Sequence, residues 1–169
     1  GYDTLIGGKG DDVLVAGMSE YYDIDLFRFA DDSGDDVVIG FMVDERDENG
    51  SGYSGAAYGL GYMDYLQILS NVNGSGIDSA KDILDVSTET DDGWAVLDLG
   101  SGNTITLHGV RLAELNAFHF HILPETTNLI QGTRDDDVLT GTDGNDYIMG
   151  YTNIGGRSGY DTLIGGKGD

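Results

Sequence analysis

Aspartate recurs at one fixed place in several short, glycine-rich segments of this chain. The clearest segment, GGKGDDVLV from Gly7 to Val15, follows the frame GGxGxDxUx, in which U is a large apolar residue. The further matches are Gly141–Met149, Gly156–Ile164, Gly132–Thr140 (with Asp135 in place of the second glycine) and, in part, Asp31–Ile39 and Gly1–Ile6. A frame that recurs this often is strong evidence of a repeated structural unit, whereas a single glycine motif would be weak evidence.

Each frame predicts a tight loop followed by a short strand. Glycine adopts positive φ at little steric cost, which suits the loop. The middle residue of each strand is expected to point inward; these residues are Leu5, Leu14, Val38, Leu139, Ile148 and Leu163. Two segments make one turn of a parallel coil, so the loops of alternate segments stack and bring their aspartates together. Stacked carboxylates repel unless a cation lies between them, and hard oxygen ligands suit Ca²⁺ better than Mg²⁺, which prefers to keep its waters.

These segments resemble the RTX family, the glycine-rich calcium-binding repeats of secreted bacterial toxins, proteases and adhesins. The resemblance implies an all-β fold, a right-handed parallel β-roll (β-solenoid) that holds several Ca²⁺ ions between stacked loops. In that family one loop supplies carbonyl oxygens from its second and fourth positions and the aspartate at its sixth. The loop two segments later supplies carbonyls from its first and third positions and its own aspartate.

Carried over to this sequence, the family pattern implies three calcium sites and one partial site. The first would use Gly8, Gly10, Asp12, Asp31, Ser33 and Asp36. The second would use Thr133, Asp135, Asp137, Gly156, Ser158 and Asp161. The third would use Thr142, Gly144, Asp146, Gly165 and Lys167, and lacks a last aspartate that would correspond to Asp12. Asp3 and Asp25 would form the partial site, although residues 16–24 and 150–155 depart from the frame.

Charge and composition narrow the classes of partner. The 169 residues include 31 acidic and 8 basic side chains, for a formal net charge of −23. Such a surface repels phosphate backbones and anionic membranes, which argues against nucleic acid and membrane partners. Cysteine is absent, so disulfides and thiolate zinc sites are excluded. No apolar run approaches the roughly 20 residues of a membrane span.

An eleven-residue identity predicts a tandem array. GYDTLIGGKGD occurs as Gly1–Asp11 and again as Gly159–Asp169, 158 positions later. The simplest interpretation is slightly more than one unit of a row of near-identical copies, so that the partners would be neighbouring copies. A local echo within a single-copy protein remains the alternative.

The sequence predicts three regions: roll blocks at residues 1–39 and 128–169, and a mainly antiparallel β insert or cap at residues 40–127. The predicted elements of the insert are strands at Tyr65–Leu69, Asp82–Thr88, Trp94–Leu99, Thr104–His108 and Phe118–Leu123 and a helical turn at Arg111–Asn116. An acidic loop is expected at Asp44–Gly50 and irregular structure at residues 51–63. The insert is expected to cover an open strand edge.

Catalysis finds little support in the sequence, and we expect no enzyme activity. No H-E-x-x-H or G-x-S-x-G motif occurs. His119 and His121 have a spacing that zinc could use, but no third ligand is identifiable.

The leading functional class is a structural repeat of a large secreted or cell-surface protein, such as an adhesin shaft or matrix fibre. A carrier module of a secreted enzyme and a sugar- or ice-binding module remain alternatives. The family implies type I secretion, folding on calcium outside the cell, and an extracellular or bacterial cell-surface location, where a glycan contact is left open.

Overall fold

A computed structural model describes residues 3–16, 24–43, 63–124, 128–132, 136–144, 146–150 and 160–167. In these ranges the chain is mostly β, with one α-helix, α1 (Ala80–Val86), and short 3-10 helices. The strands are β1 (Thr4–Ile6), β2 (Val13–Val15), β3 (Leu26–Phe29), β4 (Asp35–Ile39), β5 (Tyr65–Leu69), β6 (Thr88–Glu89), β7 (Ala95–Asp98), β8 (Thr104–His108), β9 (Phe120–Leu123), β10 (Asn128–Gln131), β11 (Val138–Thr140), β12 (Asp146–Met149) and β13 (Thr162–Ile164). No helix in the described part of the chain is long and apolar enough to cross a membrane.

The chain divides into two compact units, Gly1–Leu123 and Pro124–Asp169. In the first unit one sheet has the strand order β1-β3-β5-β9, and the other has the order β2-β4-β8-β7-β6. All neighbours in the first sheet are parallel, as are β2, β4 and β8 in the second. Strands β1 to β5 therefore alternate between the two sheets along the chain.

Apolar side chains lie in register across each parallel sheet. In the second sheet Leu14 pairs with Val38 and Val38 with Leu107, and in the first sheet Phe27 pairs with Leu66. All five side chains are buried. Because successive side chains of a strand point to opposite faces, a slip of one residue would expose a whole row. The predicted inward direction of Leu14 and Val38 is confirmed.

The strand predicted at Asp82–Thr88 is wrong, because most of that segment forms α1. Ser79 caps this helix: its hydroxyl oxygen accepts a hydrogen bond from the Asp82 N–H and its hydroxyl donates to Asp82 Oδ2 at 2.7 Å. Ile83 is completely buried against the core. A cap and one buried face favour a helix over the alternating apolar pattern that suggested a strand.

The predicted insert is only partly antiparallel. The expected hairpin is confirmed in β7 and β8, and a single 3-10 turn occurs at Leu112–Glu114. The antiparallel prediction was wrong for β5, which pairs in parallel with β3, and β8 has β4 as a parallel neighbour as well. The predicted closing strand, β9, pairs in parallel with β5. Their inward apolar residues extend the rows begun by β3 and β4, which buries them more completely than a separate hairpin would. The expected boundary at residue 40 therefore falls inside the first compact unit.

The second unit repeats the alternation on a smaller scale. β10 pairs in parallel with β12, and β11 pairs in parallel with β13. Of the predicted inward residues, Leu139 and Ile148 are half-buried, whereas Leu163 is exposed. The acidic loop predicted at residues 44–50 and residues 51–62 of the predicted irregular segment lie outside the described residues.

Candidate metal centre

Two loops with the same backbone shape meet in the first unit. We call residues 7–12 the first loop and residues 31–36 the partner loop. Gly8 and Gly10, at the second and fourth positions of the first loop, both have φ of 99°. The equivalent residues of the partner loop, Asp32 and Gly34, have φ of 62° and 91°. These left-handed conformations favour glycine, so the glycine content of the frame sets the loop shape.

Side chains are excluded at two positions, one where the two loops approach each other and one within the first loop. A Cβ atom on Gly34 would lie 2.6 Å from the carbonyl carbon of Gly10. Within the first loop, a Cβ on Gly7 would lie 2.8 Å from Asp12 Oδ2. The Gly10 N–H donates to the carbonyl oxygen of Asp32 at 3.4 Å. The frame therefore needs glycine for close approach as well as for its positive φ.

The aspartates that end the two loops are joined by a hydrogen bond. The backbone N–H of Asp12 donates to Asp36 Oδ1 at 2.9 Å. Asp36 is almost completely buried, with 2% of its surface exposed. One position earlier, the N–H of Asp35 donates to Asp11 Oδ1 at 2.9 Å. The structure thus brings together the two carboxylates that the sequence assigns to the first calcium site.

A second column of aspartates lies at the start of the other sheet. The N–H of Asp3 donates to Asp25 Oδ1 at 2.9 Å, and the N–H of Asp25 donates to Asp64 Oδ1 at 2.7 Å. The sequence reasoning paired Asp3 with Asp25 but missed Asp64, whose Oδ2 also accepts the N–H of Met42. The signal was present in the short pattern D-x-U at Asp64–Leu66, which repeats the last part of the frame without its glycine loop.

The second predicted site shows the same pairing where it is described. The N–H of Asp137 donates to Asp161 Oδ1 at 3.1 Å, and the N–H of Tyr160 donates to Asp136 Oδ1 at 2.8 Å. These two bonds match those of the first site, and in both sites the bonded residues are 24 positions apart. The other predicted ligands of this site, which lie outside the described residues, are Thr133, Asp135, Gly156 and Ser158.

The third predicted site brings its two loops together through the backbone. The N–H of Lys167 donates to the carbonyl oxygen of Thr142 at 3.2 Å. A Cβ on Gly141 would lie 2.5 Å from the carbonyl oxygen of Gly165. Asp146 folds over its own loop, where its carboxylate accepts the Thr142 N–H at 2.6 Å. Gly144 also belongs to this loop, since its N–H donates to Thr142 Oγ1.

Comparison with known protein families agrees with this geometry. The family model that describes the RTX calcium-binding nonapeptide repeat matches residues 1–18 and 125–152, in four copies. These two stretches are similar to RTX calcium-binding repeats. No curated protein matches its sequence. Calcium binding in a repeat protein follows from the family match, and proteins with such repeats are typically secreted.

The first RTX site offers oxygen atoms whose surroundings fit a calcium ion. Asp12 Oδ2 and Ser33 Oγ are both buried, and neither makes a hydrogen bond of normal geometry with the described residues. Burying the Asp12 oxygen without a partner is unfavourable by roughly 1–3 kcal/mol. A hard cation beside them would remove that penalty and would neutralise the repulsion between the Asp12 and Asp36 carboxylates.

The electrostatic surroundings of Asp36 also favour a cation at the first site. Burial, as the largest cause, raises the pKa of Asp36 above 3.8, and the nearby Asp12 carboxylate raises it further. The Asp12 N–H and the Ser33 hydroxyl act in the opposite direction without reversing the shift. In the absence of a cation, the charged form of Asp36 is therefore disfavoured in the folded state.

The described residues include no group of three or more His, Asp or Glu side chains placed to hold a metal ion together. The sites that the RTX resemblance implies use two aspartates and backbone carbonyls instead of three such side chains. His119 lies in a 3-10 helix and accepts the Asn116 N–H through Nδ1, whereas His121 lies in β9 with its ring 4.6 Å from that of Tyr65. The two histidines, whose spacing could suit zinc on a shared strand, therefore do not lie on one strand.

Proposed function

We propose that this chain is a calcium-binding structural repeat of a large secreted or cell-surface protein. The observation that carries the proposal is the bonded pair of Asp12 and Asp36: the Asp12 N–H holds the buried Asp36 carboxylate near the Asp12 carboxylate, which repels it. An arrangement of this kind is unfavourable by itself and becomes favourable when Ca²⁺ binds. The family match at residues 1–18 covers the first loop of the pair.

The strand order supports a parallel β-roll as the architecture of the calcium-binding blocks. β1 to β5 alternate between two sheets, and β10 to β13 pair in the same alternating way. In such a roll, loops stack along each side and each loop forms a wall of two neighbouring sites. We therefore expect the calcium sites to fill cooperatively.

Folding is proposed to depend on calcium and to take place outside the cell. The net charge of −23 opposes compaction of the metal-free chain. Extracellular calcium modules bind at about 10⁻⁴–10⁻³ M, so cytosolic calcium would leave the sites empty. The chain would then be exported unfolded, through a type I secretion channel as the family suggests, and would fold on meeting extracellular calcium.

The repeated segment favours a structural array over a carrier module. The identity of Gly1–Asp11 with Gly159–Asp169 extends to the positions that the RTX frame leaves free, such as Lys9 and Lys167. A carrier module attached to an enzyme needs only one copy, whereas a shaft, filament or matrix protein is built from many. No catalytic role is proposed.

The proposal is tested with Asp36→Asn, compared with Asp92→Asn. Asparagine keeps an oxygen that accepts the Asp12 N–H, so the substitution removes charge and leaves the local bond in place. Asp92 lies exposed in the turn before β7 and provides the same change in charge outside any predicted site. In a calcium titration followed by circular dichroism, Asp36→Asn should raise the calcium concentration at half-folding roughly tenfold or more.

Asp92→Asn should leave the calcium midpoint close to that of the natural sequence. Equal midpoints for Asp36→Asn and Asp92→Asn would contradict the assignment of the first site. The proposed calcium switch would be contradicted if the natural chain showed full strand content in excess chelator.

A further inference from the structure

We propose that β13 is a strand shared between neighbouring copies: it closes the second unit of one copy and opens the first unit of the next. The inference rests on the proposed function only in that copies follow one another along a chain. It adds the identity of the partner surface, which is a further copy of this same repeat, and the residues at which the copies join.

The two identical segments have different neighbours. Thr162–Ile164 pairs in parallel with β11, and Thr4–Ile6 pairs in parallel with β3. A strand has two edges, and among the described residues of each unit one edge of this TLI strand is paired. If the two segments are the same strand of an array, β11 lies on one side of it and β3 of the following copy lies on the other.

On the edge that pairs with β11, the hydrogen bonds use the Asp161 carboxylate and the Thr162 N–H. Asp161 Oδ1 accepts the N–H of Asp137 at 3.1 Å, and the N–H of Thr162 donates to the carbonyl oxygen of Asp137 at 2.8 Å. The side that faces the preceding strand therefore employs the aspartate carboxylate and the next backbone N–H.

The hydrogen bonds on the other side use a different set. The N–H of Asp3 donates to Asp25 Oδ1 at 2.9 Å, and the carbonyl oxygen of Asp3 accepts the N–H of Leu26 at 2.9 Å. Asp3 corresponds to Asp161, so no atom is required twice. One strand can make both sets of bonds at the same time, and the parallel ladder continues through the junction.

Burial of the equivalent leucines supports the same conclusion. Leu5 is partly buried and packs against the core of the first unit. Leu163, its counterpart, is 50% exposed at the end of the second unit. Joining the copies would give this leucine the cover that β3 and its neighbours provide in the first unit. Apolar area buried in this way stabilises the junction.

The spacing of the aspartates also continues across the junction. In a following copy, Asp12 would stand 158 positions later and hence 24 positions after Asp146. Asp12 and Asp36 are separated by 24 positions, as are Asp137 and Asp161. The following copy thus supplies, at the usual distance, the aspartate that the third predicted site lacks. β12 would gain β2 of that copy as its parallel neighbour.

The test uses a two-copy protein, residues 1–158 followed by residues 1–169, measured in saturating calcium by hydrogen exchange. At the internal junction residues 2–6 of the second copy correspond to residues 160–164, and Tyr2→Phe there marks the junction peptide by mass. Its counterpart Tyr160 is 92% exposed, so the substitution is expected to be neutral. Amides of residues 160–164 at the junction should exchange about tenfold more slowly, or better, than the same residues at the final β13. Equal exchange of the two peptides would overturn the shared strand.

A calcium count gives a second readout with a matched control inside the same molecule. By equilibrium dialysis, the two-copy protein should bind more than twice as many ions as the 169-residue chain. Asp146→Asn in the first copy should reduce this surplus, whereas Asp146→Asn in the last copy should leave it unchanged. A count of twice the single-chain value, or equal effects of the two substitutions, would overturn the shared site.

Failure of this inference and failure of the proposed function give different results. If neither protein bound calcium, the proposed function would fail, and the exchange measurement would still decide whether the strand is shared. If each copy bound calcium but the junction peptide exchanged like the final one, the proposed function would stand and the shared strand would be rejected.

Discussion

The two units of this chain use the same loop-and-strand frame but differ in what stabilises them. In the first unit the inward rows are buried, with Phe27, Leu66 and Val38 completely shielded from solvent. In the second unit the inward side chains Leu139 and Ile148 are only half-buried. Among the described residues, all buried apolar core side chains belong to the first unit. The described residues of the second unit thus contribute little core of their own.

The difference arises from the segment between the RTX blocks. β5, β8 and β9 extend the parallel sheets of the first unit, and α1 adds the buried Ile83. The β6–β7 hairpin occupies the second edge of the last parallel strand, β8. The second unit has no such addition among its described residues, so we expect it to depend more strongly on calcium and on a following copy.

The largest contrast is expected from core substitutions. Leu66→Ala should destabilise the first unit by about 2–5 kcal/mol, because a fully buried leucine leaves a cavity. Leu139→Ala should destabilise the second unit by only about 1 kcal/mol, because the side chain is half-exposed. Chemical denaturation in calcium, followed by hydrogen exchange to separate the units, would measure both. Losses of equal size would contradict the difference in core that separates the units.

Substitution of glycine should show where the loops of the first unit need close approach. Gly34→Ala places a Cβ 2.6 Å from the Gly10 carbonyl carbon at φ of 91°, and it should be destabilising by about 3 kcal/mol. Gly102→Ala has a similar φ of 82° but open space around the new atom, so about 1–2 kcal/mol is expected. Thermal unfolding of the two variants measures the difference. A loss for Gly102→Ala as large as that for Gly34→Ala would show that loop stacking is unimportant.

The smallest predicted effects are on the pH dependence of stability, and they distinguish Asp36 in the partner loop from Asp82 in α1. The pKa of Asp36 is raised by burial, so its contribution to metal-free stability is present below pH 3.8 and is lost as the pH rises through the raised value. The pKa of Asp82 is lowered by the Ser79 hydroxyl, so its contribution is present above pH 3.8 and is lost as the pH falls through the lowered value. Asp36→Asn and Asp82→Asn should therefore change the slope of metal-free stability against pH in opposite directions. Because the metal-free chain is expected to be unfolded, titrations in chelator with an osmolyte that favours folding, such as trimethylamine N-oxide, would measure these slopes. Slopes shifted in the same direction would contradict the assignment.

The parts of the fold that follow from local chemistry could be predicted from the sequence. Positive φ at Gly8 and Gly10, and the inward direction of Leu14, depend on the frame alone. The meeting of Asp12 with Asp36 follows from the frame as well, because stacked loops of equal shape place their sixth positions together. Ligation of calcium by these residues stays a prediction.

Other parts depend on contacts that the local sequence does not reveal. Asp64 belongs to the same column as Asp3 and Asp25, but the residues before it do not follow the glycine pattern of the frame, so the sequence does not identify it. The parallel pairing of β5 and β9 is decided by the apolar rows already present in the sheet. The helix α1 depends on the Ser79 cap and on the burial of Ile83, which outweigh an alternating apolar pattern.

The most direct test of the central claim is a calcium titration of the 169-residue chain, from excess chelator to about 10 mM Ca²⁺. Circular dichroism would follow strand content, and hydrogen exchange would follow each unit. We predict a chain without stable strands in chelator, cooperative folding as calcium rises, and folding of the first unit at lower calcium than the second. Native strand content and full protection in chelator would contradict a structure that calcium builds.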